Sequence, residues 1–486
     1  MNPVLYPAVG ALLVLALDLL SGDREEGARS RALAGLQLGA VAAFALVATA
    51  LSLYWGGPPS VEGSLHVDGF GVFGVGFVVI AGLLVLALSL THFGMARSRP
   101  AEPLALLLFA WSGSMVAMVT DHLLVLMIAV ELAWLPLVAL IGLDPRRLSS
   151  SESSLKAFFA HVFASLVFAY GLAFIFGATG RLDLGALSGD GSLLFAVGLT
   201  LVLVALLARA AVAPFHPWWP DVHEGAPGFV ASHLSTVAQA TVFLVLLRIL
   251  HEAPGSSIAA PDGLGARLPG LLATLGGLAL LWGHAMAMVQ VRLRRLLGWL
   301  GVGQIGFLTI ALVDARGEGA HALVMGLLAA GVAITGAMAT LGSFSHHERS
   351  CDQVGDLGGL LQSHPVRGAL LGLFLLSLGG LPGTLGFVAR LRTLTALEHG
   401  GHRAALWITL IATALALTAV GRPLLAMLRP ADRRPRVSAA LPNEQVVLLV
   451  CGAIVVYFGV APLLGETNLA GQLAIWVDRA VAALRS

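Results

Sequence analysis

The chain has 486 residues, 57% of them hydrophobic and only 11% charged, with a mean hydropathy of +0.89. A soluble domain is about one-quarter charged, so an ordinary soluble enzyme is excluded, and a net charge of +1 leaves no electrostatic footprint for nucleic acid. Cys351 and Cys451 are too few for a disulfide framework or a metal cage. The composition is that of an all-α polytopic membrane protein.

Apolar runs long enough to cross the roughly 30 Å hydrocarbon core fall at 3–20, 32–53, 70–93, 102–119, 121–142, 156–177, 191–213, 228–250, 267–290, 296–313, 319–343, 365–391, 402–427 and 444–464. They predict about 14 transmembrane helices. Met1–Pro7 carries no basic residue and no cleavage site follows the run, so it reads as the first span and not as a signal peptide. The connections are short, so no soluble domain is expected to hold a nucleotide, haem or flavin. The tail 466–486 mixes Leu473, Ile475 and Trp476 with Gln472, Asp478 and Arg479. Two readings fit it: an interfacial amphipathic helix or a solvated end.

Connections after odd-numbered spans carry fifteen arginines, those after even-numbered spans seven. The excess of positive charge in cytoplasmic loops then places both termini, and the tail to Ser486, on the periplasmic side, with Arg429–Arg436 in the cytoplasm.

Two spans look interrupted. The seventh runs into Ala213-Pro214-Phe215-His216-Pro217, and the twelfth contains Gly379-Gly380-Leu381-Pro382-Gly383. Proline removes a helix donor and clashes with the preceding turn. The breaks lie five spans apart, so blocks of helices 4–8 and 9–13 would insert with opposite polarity, an arrangement that marks ion paths. Plain kinks in packed helices are the other reading. The chain divides accordingly into 1–101 (helices 1–3), 102–250 (first five-helix repeat), 251–427 (second, inverted) and 428–486 (basic loop, helix 14 and tail).

A charge at mid-bilayer costs at least ~2.5–3.5 kcal/mol on insertion scales and needs a partner or a task. Glu131 sits in the middle of the fifth span, Arg209 near the end of the seventh, and Arg390 at the close of the twelfth. Lys156, the only lysine, opens the sixth. His161, His233 and His284 also lie within spans. Such a string can relay protons, because each charge alters its neighbours' titration. A structural ion pair at Glu131 and packed histidines are the alternative.

The residues also resemble a known family. The stretch Glu131-Leu132-Ala133-Trp134-Leu135-Pro136 is similar to the fifth-helix motif of the antiporter-like membrane subunits of respiratory complex I. Leu155-Lys156-Ala157-Phe158, the loop Pro214-Phe215-His216-Pro217 through Pro227, Leu293–Leu297 with Gln304-Ile305-Gly306-Phe307, and Leu376–Phe387 follow in the same order. The resemblance covers roughly 1–465 and is closest to the subunit-N branch of bacterial NADH–quinone oxidoreductases.

It implies 14 helices with two inverted repeats, helices 7 and 12 discontinuous. It also implies a bacterial inner-membrane location, no cofactor of the subunit's own, and other membrane subunits and lipid as partners. The role implied is that of a non-catalytic, proton-translocating subunit of a translocase. Homologous subunits serve membrane hydrogenases, multi-subunit cation/proton antiporters and inorganic-carbon uptake complexes, and a non-conducting structural subunit is a further alternative. By position, Glu131 and Lys156 match the family's fifth-helix glutamate and sixth-helix lysine. Arg209, Gln239 and Arg390 stand where the seventh, eighth and twelfth helices carry lysine. Arginine stays charged where a desolvated lysine can release its proton, and glutamine cannot titrate. The arginines fit a chain with a single lysine, but Gln239 does not follow from that bias. His233, on the same span, is the candidate substitute carrier.

Overall fold

The computed structural model describes residues 2–21, 28–55, 61–62, 64–93, 100–144, 147–188, 192–252, 264–344, 352–430, 442–463 and 468–484. Cys351, most of the basic loop 429–436, and Arg485 and Ser486 lie outside them. The elements run α1 (Tyr6–Ser21), α2 (Ala28–Trp55), a two-residue hairpin β1 (Val61–Glu62) and β2 (Leu65–His66), α3 (Gly69–Phe93), α4 (Ala101–Val119), α5 (Leu123–Ile141), α6 (Leu148–Thr179), α7 (Leu193–Arg209), α8 (Trp218–Gly225), α9 (Gly228–His233) and α10 (Gln239–Glu252). They continue as α11 (Leu264–Val289), α12 (Leu293–Ala311), α13 (Gly319–Ser343), α14 (Leu360–Ser363), α15 (Pro365–Gly379), α16 (Leu385–His399), α17 (Arg403–Leu428), α18 (Pro442–Val460) and α19 (Leu469–Ala483).

Among the described residues, twelve helices are long and apolar enough to cross a membrane. Two shorter apolar helices, α7 and α15, are the first halves of the two interrupted spans. The protein is therefore a multi-pass, all-α membrane protein whose crossings fall where the apolar runs predict.

Contacts divide the chain into two compact units. One comprises 1–206, 237–258 and 479–486, the other 207–236 and 259–478. In the first, α4 packs on α1, α3 and α5, α5 on α6, and α10 on α3 and α4. A buried ion pair ties this unit: Arg248 on α10 donates to Asp68 at 2.7 Å and to the Met118 carbonyl at the end of α4, also at 2.7 Å. Asp68 in turn accepts from the Gly71 amide at 2.6 Å, which satisfies one of the donors left open at the start of α3.

In the second unit α13 is the central helix, packed by α9, α12, α15, α16 and α18, and it is buried along nearly its whole length. The tail forms the helix α19. Its Leu473 packs with Met325, Ala329, Leu385 and Ala389, and Asp478 meets His321 at 3.0 Å. Ile475 and Trp476 are exposed.

Two boundaries differ from the apolar runs by eight residues. Helix α6 starts at Leu148 and not near 156, because Ser150 and Ser154 donate to the Ile141 and Val138 carbonyls at 2.7 and 2.8 Å. Ser150 satisfies an open carbonyl at the end of α5, and Ser154 adds a second bond to Val138, which the Gly142 N–H also reaches, so the polar Ser149–Ser154 stretch is drawn into a helix. Helix α16 runs on to His399, eight residues past the expected end.

Candidate functional site

Glu131 lies midway along α5 and meets α6. Its carboxylate accepts a hydrogen bond from Ser165 Oγ. One turn along α5, Trp134 is buried against the His161 ring of α6, centroids 4.1 Å apart at 32°. His161 and Ser165 are four residues apart and so share one face of α6, which is the face turned to Glu131.

Lys156 pairs with Glu152 at 2.6 Å, one turn before it, and both are half-exposed. A helix of 32 residues is about 48 Å long, against a hydrocarbon core of roughly 30 Å. The pair therefore occupies the first turns of α6, towards the membrane border, and Ser165 sits near its middle. With glutamate N-terminal to lysine, the pair has the favourable orientation for this spacing. Gln239, buried, opens α10 in this same unit.

The remaining predicted residues belong to the second unit. Arg209 ends α7 and is fully buried. The chain then leaves the helix through a turn in which Val212 N–H reaches back to the Leu207 carbonyl at 3.0 Å and Phe215 N–H to Val212 at 2.8 Å. Pro214, preceded by a cis peptide, lies in this break, and His216 turns its ring towards Trp299, 5.7 Å between centroids. Ala211 holds φ +59°, a left-handed conformation that costs an alanine roughly 1–2 kcal/mol. Ala211→Gly is expected to raise the stability of the folded subunit by about 1 kcal/mol, seen as a higher thermal midpoint of the solubilised protein. A lower midpoint would mean that the alanine methyl stabilises the turn more than its backbone strains it.

Helix α8 follows the break and is anchored by the fully buried His223. One ring nitrogen lies 3.0 Å from the Trp219 carbonyl and the other 3.0 Å from Ser235 Oγ. At the rim, Glu224 bonds Arg292 and Arg295, and Asp221 bonds Arg295 at 3.1 Å. The hydrogen bond that Arg292 donates to Glu224, and the Glu224 charge, hold the Arg292 guanidinium above the ordinary arginine value. His233 is buried at the end of α9 and runs into a π-helical turn, Leu234–Ala238, that separates it from Gln239. Such turns are rare and recur at functional sites.

The second break is built around Arg390. Helix α15 stops at Gly380, φ +79°, whose amide returns to the Ser377 carbonyl at 3.0 Å, and Leu381 N–H bonds the Leu376 carbonyl at 3.0 Å. The next open carbonyl, Leu378, accepts from Arg390 and, at 3.0 Å, from Gln304. The guanidinium also lies over the Phe307 ring, 4.6 Å from its centroid, a cation–π contact. His284, fully buried on α11, meets the same Phe307 ring, centroids 6.1 Å apart. Gln304, Phe307 and Arg390 line a small cavity with Thr393 and Gly386. Arg390 thus serves as a side-chain cap on the end of a broken helix, holding a fixed positive charge there.

Ser165 and the shared Leu378 carbonyl were not singled out from sequence. The spacing of Ser165 four residues after His161 was a signal for the first. No local pattern marks the second.

A family model described as "NADH:quinone oxidoreductase/Mrp antiporter, TM" matches residues 120–416. Among curated proteins, the chain is 32% identical to NADH-quinone oxidoreductase subunit N of Deinococcus radiodurans, over 82% of this chain and 84% of that protein. It is 30% identical to the protein of the same name from Chromohalobacter salexigens, over 84% and 87%. Among solved structures it is similar to a chain of respiratory complex I from Thermus thermophilus, with TM-score 0.77, 29% identity, and coverage of 95% and 98%. The fold is shared with a chain of the Mrp complex from a Dietzia species, with TM-score 0.82 at 20% identity and coverage of 99% and 96%.

Proposed function

The chain belongs to the NADH:quinone oxidoreductase/Mrp antiporter transmembrane family, and from that premise we propose that it is a membrane-arm, proton-translocating subunit of a redox-driven complex, in the place that subunit N takes in NADH–quinone oxidoreductases. The observation that carries the reading is Glu131: an ionisable group midway along a transmembrane helix, hydrogen-bonded by a second helix. Such a group is costly and is kept where it has a task. The two interrupted spans support the reading, taken as the centres of inverted five-helix repeats at 102–250 and 251–427 with chain ends beyond them. So does the relation to named subunits of multi-subunit complexes, which makes other membrane subunits and lipid its partners.

In this reading the membrane is a bacterial inner membrane, with both termini periplasmic as the arginine distribution implies. Protons pass Glu131 and move on through histidine or water, not through a lysine series. Lys156 borders the path, and Arg209 and Arg390, where the family carries lysine, are permanent positive charges and not proton carriers. Gln239 orders hydrogen bonds without holding a proton, and His233 is the titratable group on the same span. Pro214, His216 and Pro382 belong to the breaks that open the backbone to the path.

A second reading, a non-conducting subunit that shapes a membrane arm, is favoured by the same Arg209, Gln239 and Arg390. Affinity purification from native membranes tests the assignment. Co-purifying quinone-site and further antiporter-like subunits support it; a hydrogenase or a cation/proton antiporter assembly would reassign the chain to a homologous complex.

A further inference from the structure

Ser165 is placed for two hydrogen bonds that its one proton cannot make together. Its Oγ is within donor reach of the Glu131 carboxylate and, at 2.7 Å, of the His161 carbonyl. A hydroxyl has one proton to donate and two lone pairs to accept with. When Glu131 is ionised its oxygens only accept, so the serine proton must turn to the carboxylate. When Glu131 is protonated, its own O–H donates to Ser165 Oγ, and the serine proton turns to the His161 carbonyl. Both states are satisfied with the same heavy atoms in place, and only one O–H bond rotates.

We propose that Ser165 is the positioning residue for Glu131, a hydroxyl rotor that bonds the carboxyl group in its charged and its neutral form. Ser165 keeps its own proton throughout. The proton gained or lost is that of Glu131, taken from or passed to water or the next basic group. The packing around it fits this role. Trp134 and His161, in tilted contact with centroids 4.1 Å apart, hold α5 against α6 one turn away, which keeps the carboxyl group and the hydroxyl together as the charge changes. In a membrane interior with little water, a preset donor and acceptor spares the reorganisation that would otherwise accompany each proton exchange.

The inference rests on the reading of Glu131 as a proton-path group, and the test separates the two. The assembled complex is purified from native membranes with Glu131→Gln, Ser165→Ala or Ser165→Thr and reconstituted in vesicles. Protons moved per electron and the rate of proton uptake are measured, together with infrared difference spectra, in which the Glu131 carboxyl band is the one that Glu131→Gln removes. Ser165→Ala is expected to move that band to higher wavenumber and to slow uptake about tenfold, the scale of one hydrogen bond to a charged group. Ser165→Thr, which keeps the hydroxyl, is expected to restore both. If Glu131→Gln lowers the proton ratio but Ser165→Ala leaves the band and the rate unchanged, the serine role is overturned alone. If Glu131→Gln leaves the ratio unchanged, the proton-path reading falls, and the serine role with it.

Discussion

Gly380→Ala is expected to remove most of the folded subunit from the membrane. Gly380 ends α15 at φ +79°, where an L side chain costs roughly 1–2 kcal/mol. A Cβ built there would also fall on the Arg390 guanidinium. Arg390 cannot retreat cheaply, since it is buried between the Leu378 carbonyl and the Phe307 ring. Overpacking of a close-fitting interior adds about 1–3 kcal/mol, so the sum is of the order of 3 kcal/mol or more. Subunit abundance in membranes, read by immunoblot beside Gly383→Ala, checks it. Gly383 is also left-handed, at φ +87°, but nothing lies within 4 Å of its would-be Cβ. It should therefore show the backbone cost alone. Equal losses in the two variants would show that the guanidinium is not what excludes a methyl group at Gly380.

Asp68→Asn is expected to cost about 3–5 kcal/mol, the scale of a buried ion pair that has lost one partner. Asparagine keeps an oxygen for the Gly71 amide, so the α3 cap survives and the loss is one of charge. Arg248, whose side chain is only 6% exposed, would be left with the Met118 carbonyl and only the Glu252 charge, one turn along α10, in place of a directly bonded carboxylate. Replacing both residues, Asp68→Asn with Arg248→Met, should recover a large part of the loss, because the uncharged pair leaves no uncompensated guanidinium buried. The measurement is the unfolding midpoint of the solubilised single and double variants. A double variant no better than Asp68→Asn would mean that the pair matters for the backbone groups it bonds more than for its charges.

Much of this architecture was legible in the order of residues. Runs near twenty apolar residues can only be satisfied by spans, and Pro214 and Gly380–Pro382 can only weaken a helix, so crossings and breaks could be placed without coordinates. Glu131 stood out because a carboxylate is expensive in an apolar run. What could not be read depends on distant partners. Nothing near Arg248 announces Asp68, which lies 180 positions away. Arg390 could be placed on its span, yet its bond to Leu378, twelve positions back, depends on how the break at Gly380 sets the two half-helices. Ser165 was hidden for a different reason: a serine on an apolar helix usually bonds the carbonyl one turn back, and only the approach of α5 makes its second partner visible. The start of α6 was missed because serines, poor helix formers when alone, acquire carbonyl partners on α5.

The half-exposed Lys156–Glu152 pair has a practical consequence for chemical labelling. Lys156 carries the only side-chain amine in the chain, so an amine-selective acylating reagent has a single target here besides the backbone N-terminus. With 44% of its side chain accessible, that amine is reachable on the isolated subunit. Its modification in detergent, set against protection in the intact assembly, reports from one residue whether a neighbouring subunit or lipid covers this stretch of α6. A sequence in which nearly every basic residue is arginine thus carries its own site-specific footprinting probe.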